Sequence, residues 1–478
     1  MSDSALAAVE KARETAREWA KRTPNERGAA LLRLRDLLAK QSDSIARTVS
    51  EEIGKPLQEA YGAEVLSSLR ALNWLVRAAP KALAERKIPG SRGAFQQAVP
   101  VGVVGVIGTW NYPIYLNLTA IAWALAAGNA VVWKPSELAN DSACALASLF
   151  EAAGLPVFTV TGGAETGREL CNAGCDKIAF TGGTATGRAI LSELAKTETP
   201  AVMELSGHDA MLVCADADAA LAARSAVWGR ISNAGQSCVA PCRIYVVSAV
   251  YETFLAECRR EMEGLKPGTD YGPLRTESLR HRSHAMVKDA IGRGARLLIG
   301  GYCLPDEEGF YYAPALLADC RAGMVLMEQD FFGPVLAVCP VADEAEGVAQ
   351  ANRSEMGLGA TIWTRDVRKA LQIARDINAG TISINDVLLD AAEPNLPFGG
   401  LGESGFGKQR GIAGLEEFII WKTITPHKSG GSRRHLFPYR PATLPILRGL
   451  IALQTAQGVK AKLNAARELT RAAMNWKK

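Results

Sequence analysis

A chain of 478 residues, 48% apolar and 22% charged, is long enough for two or three domains with large cores, and its composition is that of a soluble globular protein. Ten cysteines at irregular spacings exclude a disulfide framework, and neither Cys171/Cys175 nor Cys238/Cys242 has the histidines that would complete a zinc site. The net charge of +4 is unevenly spread: residues 427–478 carry eleven Lys or Arg against one acid, Glu468, whereas the rest of the chain has 43 basic and 49 acidic side chains.

Residues 1–85 begin with Asp3, Glu10 and Glu14 and no apolar core, so no secretory signal is read there and a reducing, cytoplasmic setting is expected. Ala-, Leu- and Glu-rich periodicity predicts helices over 4–83. The run KIPGSRGAFQQAVP, 86–99, breaks the pattern with turn residues. From 100 to 193 strands and helices alternate: VVGVIG, a helix over 113–126, AVVW, a helix over 138–152, PVFTV, then IAF entering a helix over 183–194. That alternation predicts an α/β fold with a parallel sheet, whose Gly-rich strand-to-helix turns suit a nucleotide. After Glu204 a second alternation begins with AMLV, a helix over 217–233, RIYVV, a helix over 249–263 and LLIGG, and continues to 384. His281 and His284 lie on a helix and are expected to face solvent. In the tail, Leu444–Leu453 is far shorter than the roughly 20 apolar residues of a membrane span. Val459, Leu463, Ala466 and Leu469 recur at helical spacing among Lys460, Lys462, Arg467 and Arg471, a basic amphipathic helix. It suits peripheral contact with an anionic membrane, or packing within the protein's own assembly; no nucleic-acid partner is expected.

The chemistry centres on Cys238, in SNAGQSCVAPC, and Glu204, in MELSGHD. A thiolate is a strong soft nucleophile, and a carboxylate can take protons from it or from water. Gly235 and Gly207 beside them permit close backbone approach. A lone Cys is usually a buried apolar residue, the reading kept for Cys242, and a lone Glu is usually ion-paired. Glu204, however, follows Ala201-Val202-Met203, a buried strand, where a carboxylate needs a reason to be. Asn111 is a candidate donor to an oxyanion, or the cap of the helix that follows it.

PVGVVGVIGTWNYP (100–113), GNAVVWKPSE (128–137), FTGGTATG (180–187), FFGPV (331–335) and LPFGGLGESGFG (396–407) join these two motifs in a fixed order. Together they resemble the aldehyde dehydrogenase superfamily from about Arg17 to about Thr425. Trp110-Asn111-Tyr112-Pro113, the GNAVVWKPSE run and FPYRP at 437–441 look most like its class 3, fatty-aldehyde branch. The resemblance implies a Rossmann-type cofactor domain over 1–85 and 100–206, an α/β catalytic domain over 207–395, an oligomerisation element from 86–99 and 396–426 that builds a homodimer or homotetramer, and a separate tail over 427–478. It implies NAD(P)-dependent oxidation of an aldehyde to the acid, with Cys238 as nucleophile, Glu204 as the deacylating base and Asn111 at the oxyanion. Lys134 and Glu137 would bind the adenosine ribose, and Glu137 would repel a 2′-phosphate and so favour NAD, with NADP possible. Ser136, Leu205 and Trp110 fall in the same cofactor group. Gly182, Gly183, Thr184 and Gly187 would receive the pyrophosphate, and Phe332 and Asp330 the nicotinamide end. No metal is implied.

Four residues depart from the family pattern: Gly183 for Ser, Ser206 for Gly, His208 for Lys, and Asp330 for Glu. Trp110, Tyr115, Leu116, Ser237 and Val239 are expected to line an apolar substrate pocket. A CoA-acylating relative, which lacks the Glu, and a non-catalytic derivative, which would have lost Cys or Glu, are the alternatives.

Overall fold

Two largely parallel sheets carry the candidate residues, and their inner strands are short apolar runs buried on both faces. The computed structural model describes residues 4–91, 93–304, 309–427, 437 and 439–474. One sheet has six strands, in the order Gly405–Phe406, Ala201–Glu204, Lys177–Thr181, Val103–Ile107, Ala130–Lys134 and Val157–Thr159. All are parallel except the edge strand Gly405–Phe406, which runs antiparallel and pairs Gly405 with Glu204. The other has seven, in the order Arg296–Ile299, Ala315–Ala318, Val335–Val341, Arg243–Val247, Ala210–Val213, Gly359–Trp363 and Thr381–Ile384, with only the first pair antiparallel.

The helices between strands begin and end on local signals. Helix Pro24–Lys40 starts from Thr23 with a capping box to Glu26 and Pro at its first turn. Helix Tyr115–Ala127 is buried at every position, which explains why its sequence is apolar all round, and it ends at Gly128 in the left-handed region.

The N-terminal helical run is interrupted. Helix Ser42–Ile53 stops at Gly54 (φ 89°). After Pro56 the chain winds as a short turn, Leu57–Glu59, and then as a π-helix, Ala60–Leu66, before the helix Ser67–Ala82. Residues five apart diverge by about 140° in an α-helix but stack in a π-turn, whose hydrogen bond spans that interval. Glu59 and Glu64 are therefore both turned inward. Glu64 is fully buried and accepts Lys55 Nζ at 2.6 Å and the N–H groups of Ile114 and Tyr115 at 3.1 and 2.9 Å. Lys55 Nζ also donates to the Asn111 carbonyl at 2.9 Å and stands 4.0 Å above the Tyr112 ring. One buried ion pair thus shapes the loop that contains Asn111.

The chain divides into a large unit, residues 1–86 with 96–423, and a small one, residues 87–95 with 424–478. Within the small unit, helices Thr443–Thr455 and Val459–Met474 form a hairpin in which Gly449 lets Leu469 approach its backbone. Among the described residues no helix is long and apolar enough to cross a membrane.

Lys55→Met should be among the most damaging single changes, because it leaves Glu64 as an uncompensated buried charge. The expected loss is about 3–5 kcal/mol. Lys55→Met with Glu64→Gln removes the charge while keeping an acceptor for Ile114 and Tyr115, and should recover part of that loss. Chemical denaturation of the three proteins is the measurement.

Candidate active site

The nucleophile segment begins where helix Ala219–Ile231 ends. Asn233 and Ala234 take positive φ, 51° and 53°, followed by Gly235 at 73°. Each such non-glycine residue costs about 1–3 kcal/mol and persists only where the surroundings impose it. Here they do. The Asn233 N–H donates to Glu59 Oε2 at 2.7 Å, and its Nδ2 donates to the Asn111 and Gln236 carbonyls at 3.0 and 3.2 Å. Gln236 Nε2 returns to the Asn233 carbonyl, and Gln236 Oε1 accepts the Arg275 N–H. Gly207 closes the site from the other sheet: a Cβ there would overlap the Cys238 carbonyl oxygen.

Cys238 is half-buried and lines a cavity of about 500 Å³. Burial, and then the charge of Glu204, push its thiol well above the usual range, so the resting thiol is protonated. Glu204 ends its strand with 3% exposure, and its Oε1 has no protein partner. Burial raises its pKa to about 7, against the opposing effects of the Cys238 thiol and the Arg410 charge. Asp209 is also buried and is raised to about 7, chiefly by burial. These groups share one desolvated neighbourhood, so their protons are coupled.

Asn111 is not a helix cap: Ile114 occupies that position before Tyr115–Ala127. Its amide is held instead by Thr109 Oγ1, which donates to Oδ1 at 2.9 Å, and by its own Nδ2, which donates to the Gln236 carbonyl at 3.0 Å.

Tyr115, Leu116, Ser237 and Val239 line the cavity, together with Tyr112, Trp228, Leu388, Leu389 and Phe398. Leu66, Trp228 and Leu389 remain about half exposed. Trp110 is a correction to the expected pocket: it lines a different cleft and packs edge-on to Phe332, ring centroids 5.8 Å apart. Glu59, Trp228, Leu388–Leu389 and Arg410 escape sequence reasoning because none lies in a local motif. The only signal was Glu59 within an apolar helical face, too common to read.

The second cleft, about 400 Å³, brings Trp110 together with Lys134, Ser136, Glu137, Gly182 and Gly183. Lys134 Nζ bonds Glu137 Oε2 at 2.9 Å, and Ser136 Oγ accepts the Leu138 N–H. Nothing lies within 4 Å of where a Gly183 side chain would begin, and helix Thr184–Leu194 starts without a side-chain cap. Thr184 is partly committed, its N–H to Ser206 Oγ at 3.4 Å and its hydroxyl to the Glu403 carbonyl. Gly187 and Leu205 do not face this cleft; they pack on each other, which lets the helix approach the sheet. Asp330 also lies outside the cleft lining. Its carbonyl accepts Arg282 Nη2 at 2.7 Å, and its carboxylate is 3.9 Å from the same guanidinium.

The departures have local accounts. Ser206 offers its hydroxyl to the first turn of the cleft helix. His208 is buried and neutral, its pKa lowered to about 3 by burial, with Nε2 on the Leu326 carbonyl. His281 is exposed as expected, but His284 is half-buried against Tyr312. Among the described residues only Cys214, Asp216 and Glu344 cluster as metal ligands might, and Lys369 occupies Glu344 at 2.6 Å while Thr364 and two backbone N–H groups occupy Asp216.

Comparison with known proteins places most of the chain. The 4,4′-diapolycopene aldehyde oxidase of a Methylomonas species is 37% identical over 448 residues, 91% of this chain and 83% of that protein. The phenylacetaldehyde dehydrogenase of Pseudomonas fluorescens is 36% identical over 441 residues, 87% of each. A Mycobacterium tuberculosis aldehyde dehydrogenase solved as a complex with NAD+ superposes with a TM-score of 0.85 at 32% identity, covering 90% of this chain and 92% of that one. Residues 2–424 match the family model itself, and the chain belongs to the aldehyde dehydrogenase family.

Proposed function

We propose that this aldehyde dehydrogenase oxidises a hydrophobic aldehyde to its carboxylic acid through a thioester on Cys238, with Glu204 as the base. The observation that carries the reading is Cys238 on an apolar cavity beside the buried carboxylate of Glu204, one oxygen of which has no protein partner. Glu204 takes the thiol proton, and Sγ bonds to the aldehyde carbon. Asn111 has one amide proton on Gln236 and a second for the oxyanion, which the Cys238 N–H joins. Bound NAD(P) supplies the acceptor for the hydride that leaves that carbon. Once Glu204 has lost its proton to solvent, it draws another from the water that hydrolyses the thioester. Glu204 also weighs against transfer to CoA and against a non-catalytic derivative.

The second cleft fits a dinucleotide. Lys134 and Glu137 would hold the adenosine ribose, Gly182 and the open space at Gly183 before helix Thr184–Leu194 the pyrophosphate, and Phe332 beside Trp110 the nicotinamide end. The apolar lining and the half-exposed Leu66, Trp228 and Leu389 suit a substrate longer than the cavity. That supports, with the WNYP and FPYRP runs, a place near the fatty-aldehyde branch.

The tail supports contact with an anionic membrane. Leu444, Leu447, Leu450, Ile451, Val459 and Leu463 are exposed on its two helices, among eleven cations and one acid in residues 427–478.

Glu204→Gln, where the thiol proton passes to solvent instead, should release NADH at most once per active site in a rapid-mixing experiment and then turn over about 10²–10⁴-fold slower, whereas Cys238→Ala should release none; normal turnover of Glu204→Gln removes its assigned role. Glu137→Gln should raise kcat/KM for NADP by about tenfold, ~1.4 kcal/mol, and change that for NAD far less; equal changes would exclude Glu137 from selectivity. The full chain should sediment with phosphatidylserine vesicles at low salt and be released as screening shortens to about 10 Å near 0.1 M. A chain ending at Ser429 should stay in solution, and equal sedimentation of the two would assign the tail to the protein's own assembly.

A further inference from the structure

Arg410 holds a guanidinium that burial has stripped of water without supplying partners for all its protons. The residue is 2% exposed. Nη1 donates to the Tyr115 hydroxyl at 3.0 Å, but Nε and Nη2 meet no protein acceptor. The guanidinium carbon lies 4.5 Å from the centroid of the Phe398 ring, and the residue lines the same cavity as Cys238. Its backbone sits at φ 58°, a conformation that side-chain-bearing residues seldom adopt and that survives where the surroundings enforce it. A buried cation with free donors calls for an anion.

Glu204 is the matching anion. It is almost as deeply buried, and its Oε1 is also without a partner. The sheet places their two chain segments side by side. Gly405 pairs directly with Glu204 on one side, five residues before Arg410. On the other side Thr181 pairs with Glu204, and Gln409 Nε2 donates to Thr181 Oγ1 at 2.9 Å. The 405–410 segment therefore wraps the end of the Glu204 strand. The titratable or charged groups facing Glu204 are Cys238, Asp209 and Arg410, and the Arg410 charge acts on both Glu204 and Cys238.

We propose that Arg410 is the positioning residue for the base: its free Nε–Nη2 edge receives the Glu204 carboxylate, holding it ionised for the proton of Cys238 and again for the attacking water. This rests on Glu204 being that base. Arg410 itself donates no proton. It sets where the carboxylate waits and how readily it stays charged.

The test is alkylation of Cys238 by iodoacetamide without cofactor, from about pH 5.5 to 9.5, read at the Cys238 peptide by mass spectrometry because Cys144 is also exposed. The wild-type rate should rise through the titration of Glu204, about pH 7. An opposite charge lowers a carboxyl by about one to three units, so Arg410→Gln and Arg410→Met should move the midpoint up by at least about one unit. Arg410→Lys should recover about half of that shift. Where one neutral variant fails to fold, the other decides. An unmoved midpoint in the neutral variants overturns the proposal. So does an unmoved midpoint with a turnover loss confined to aldehydes that bear a carboxylate, which would make Arg410 a substrate anchor. Glu204→Gln should abolish the inflection; if it persists there, the failure lies with Glu204 as base and not with Arg410.

Discussion

The buried pair of Lys55 and Glu64 is the constraint on which the catalytic end is assembled. Such pairs are seldom retained for stability, because desolvation offsets most of the attraction. Here the pair acts as a frame. Lys55 binds the carbonyl of Asn111, and Glu64 binds the two N–H groups that open the following helix. Glu59, turned inward by the same π-turn, takes the N–H of Asn233 and imposes the left-handed backbone that leads to Cys238. Two loops from different sheets are thus referred to one short N-terminal segment. π-turns recur at functional sites for this reason: one extra residue re-aims the side chains that follow.

The second constraint is electrostatic. Cys238, Glu204 and Asp209 all pay for charge in a neighbourhood with little water, so they cannot all ionise together. A thiol held well above its ordinary range beside an acid raised to about 7 keeps the proton on sulfur at rest, so its transfer to Glu204 is uphill and has to be drawn by bond formation at the aldehyde carbon. The charge of Arg410 acts on both Glu204 and Cys238. The apolar cavity sharpens this balance, because a hydrophobic substrate would displace what water the thiol retains.

The order of strands and helices was largely legible, because parallel strands buried on both faces read as continuous Val, Ile and Ala runs between helical periods. The interruption at Gly54 to Pro56 and the π-turn were not, since Ala60–Leu66 has ordinary helical composition and its register is set by the inward pull on Glu64. Cys238 and Glu204 stood out through their neighbours. Asn111 was legible as a residue but not as an arrangement: Asn and Pro so close together suggest a cap, yet the amide oxygen accepts from Thr109 and one amide proton goes to Gln236, which leaves the other. Trp110 is read in two places, with the cofactor group and in the substrate pocket, and only the packing on Phe332, more than two hundred residues away, shows it in the cleft with the cofactor candidates.

By itself the sequence determined the family, the alternation that makes two parallel sheets, and which Cys and Glu are the candidates for nucleophile and base, because these reside in local pattern and in the side chains themselves. Tertiary structure alone decided that Glu59 and Lys55 brace the loops that carry Asn111 and Cys238, that Arg410 is buried on the Cys238 cavity with unpaired donors, and that Gly187 and Leu205 serve packing while Asp330 stays outside the cleft. The reason is physical. Burial, and with it the protonation of Cys238 and Glu204, is a property of everything packed around a group, and that company is drawn from segments whose spacing in sequence carries no trace of their meeting.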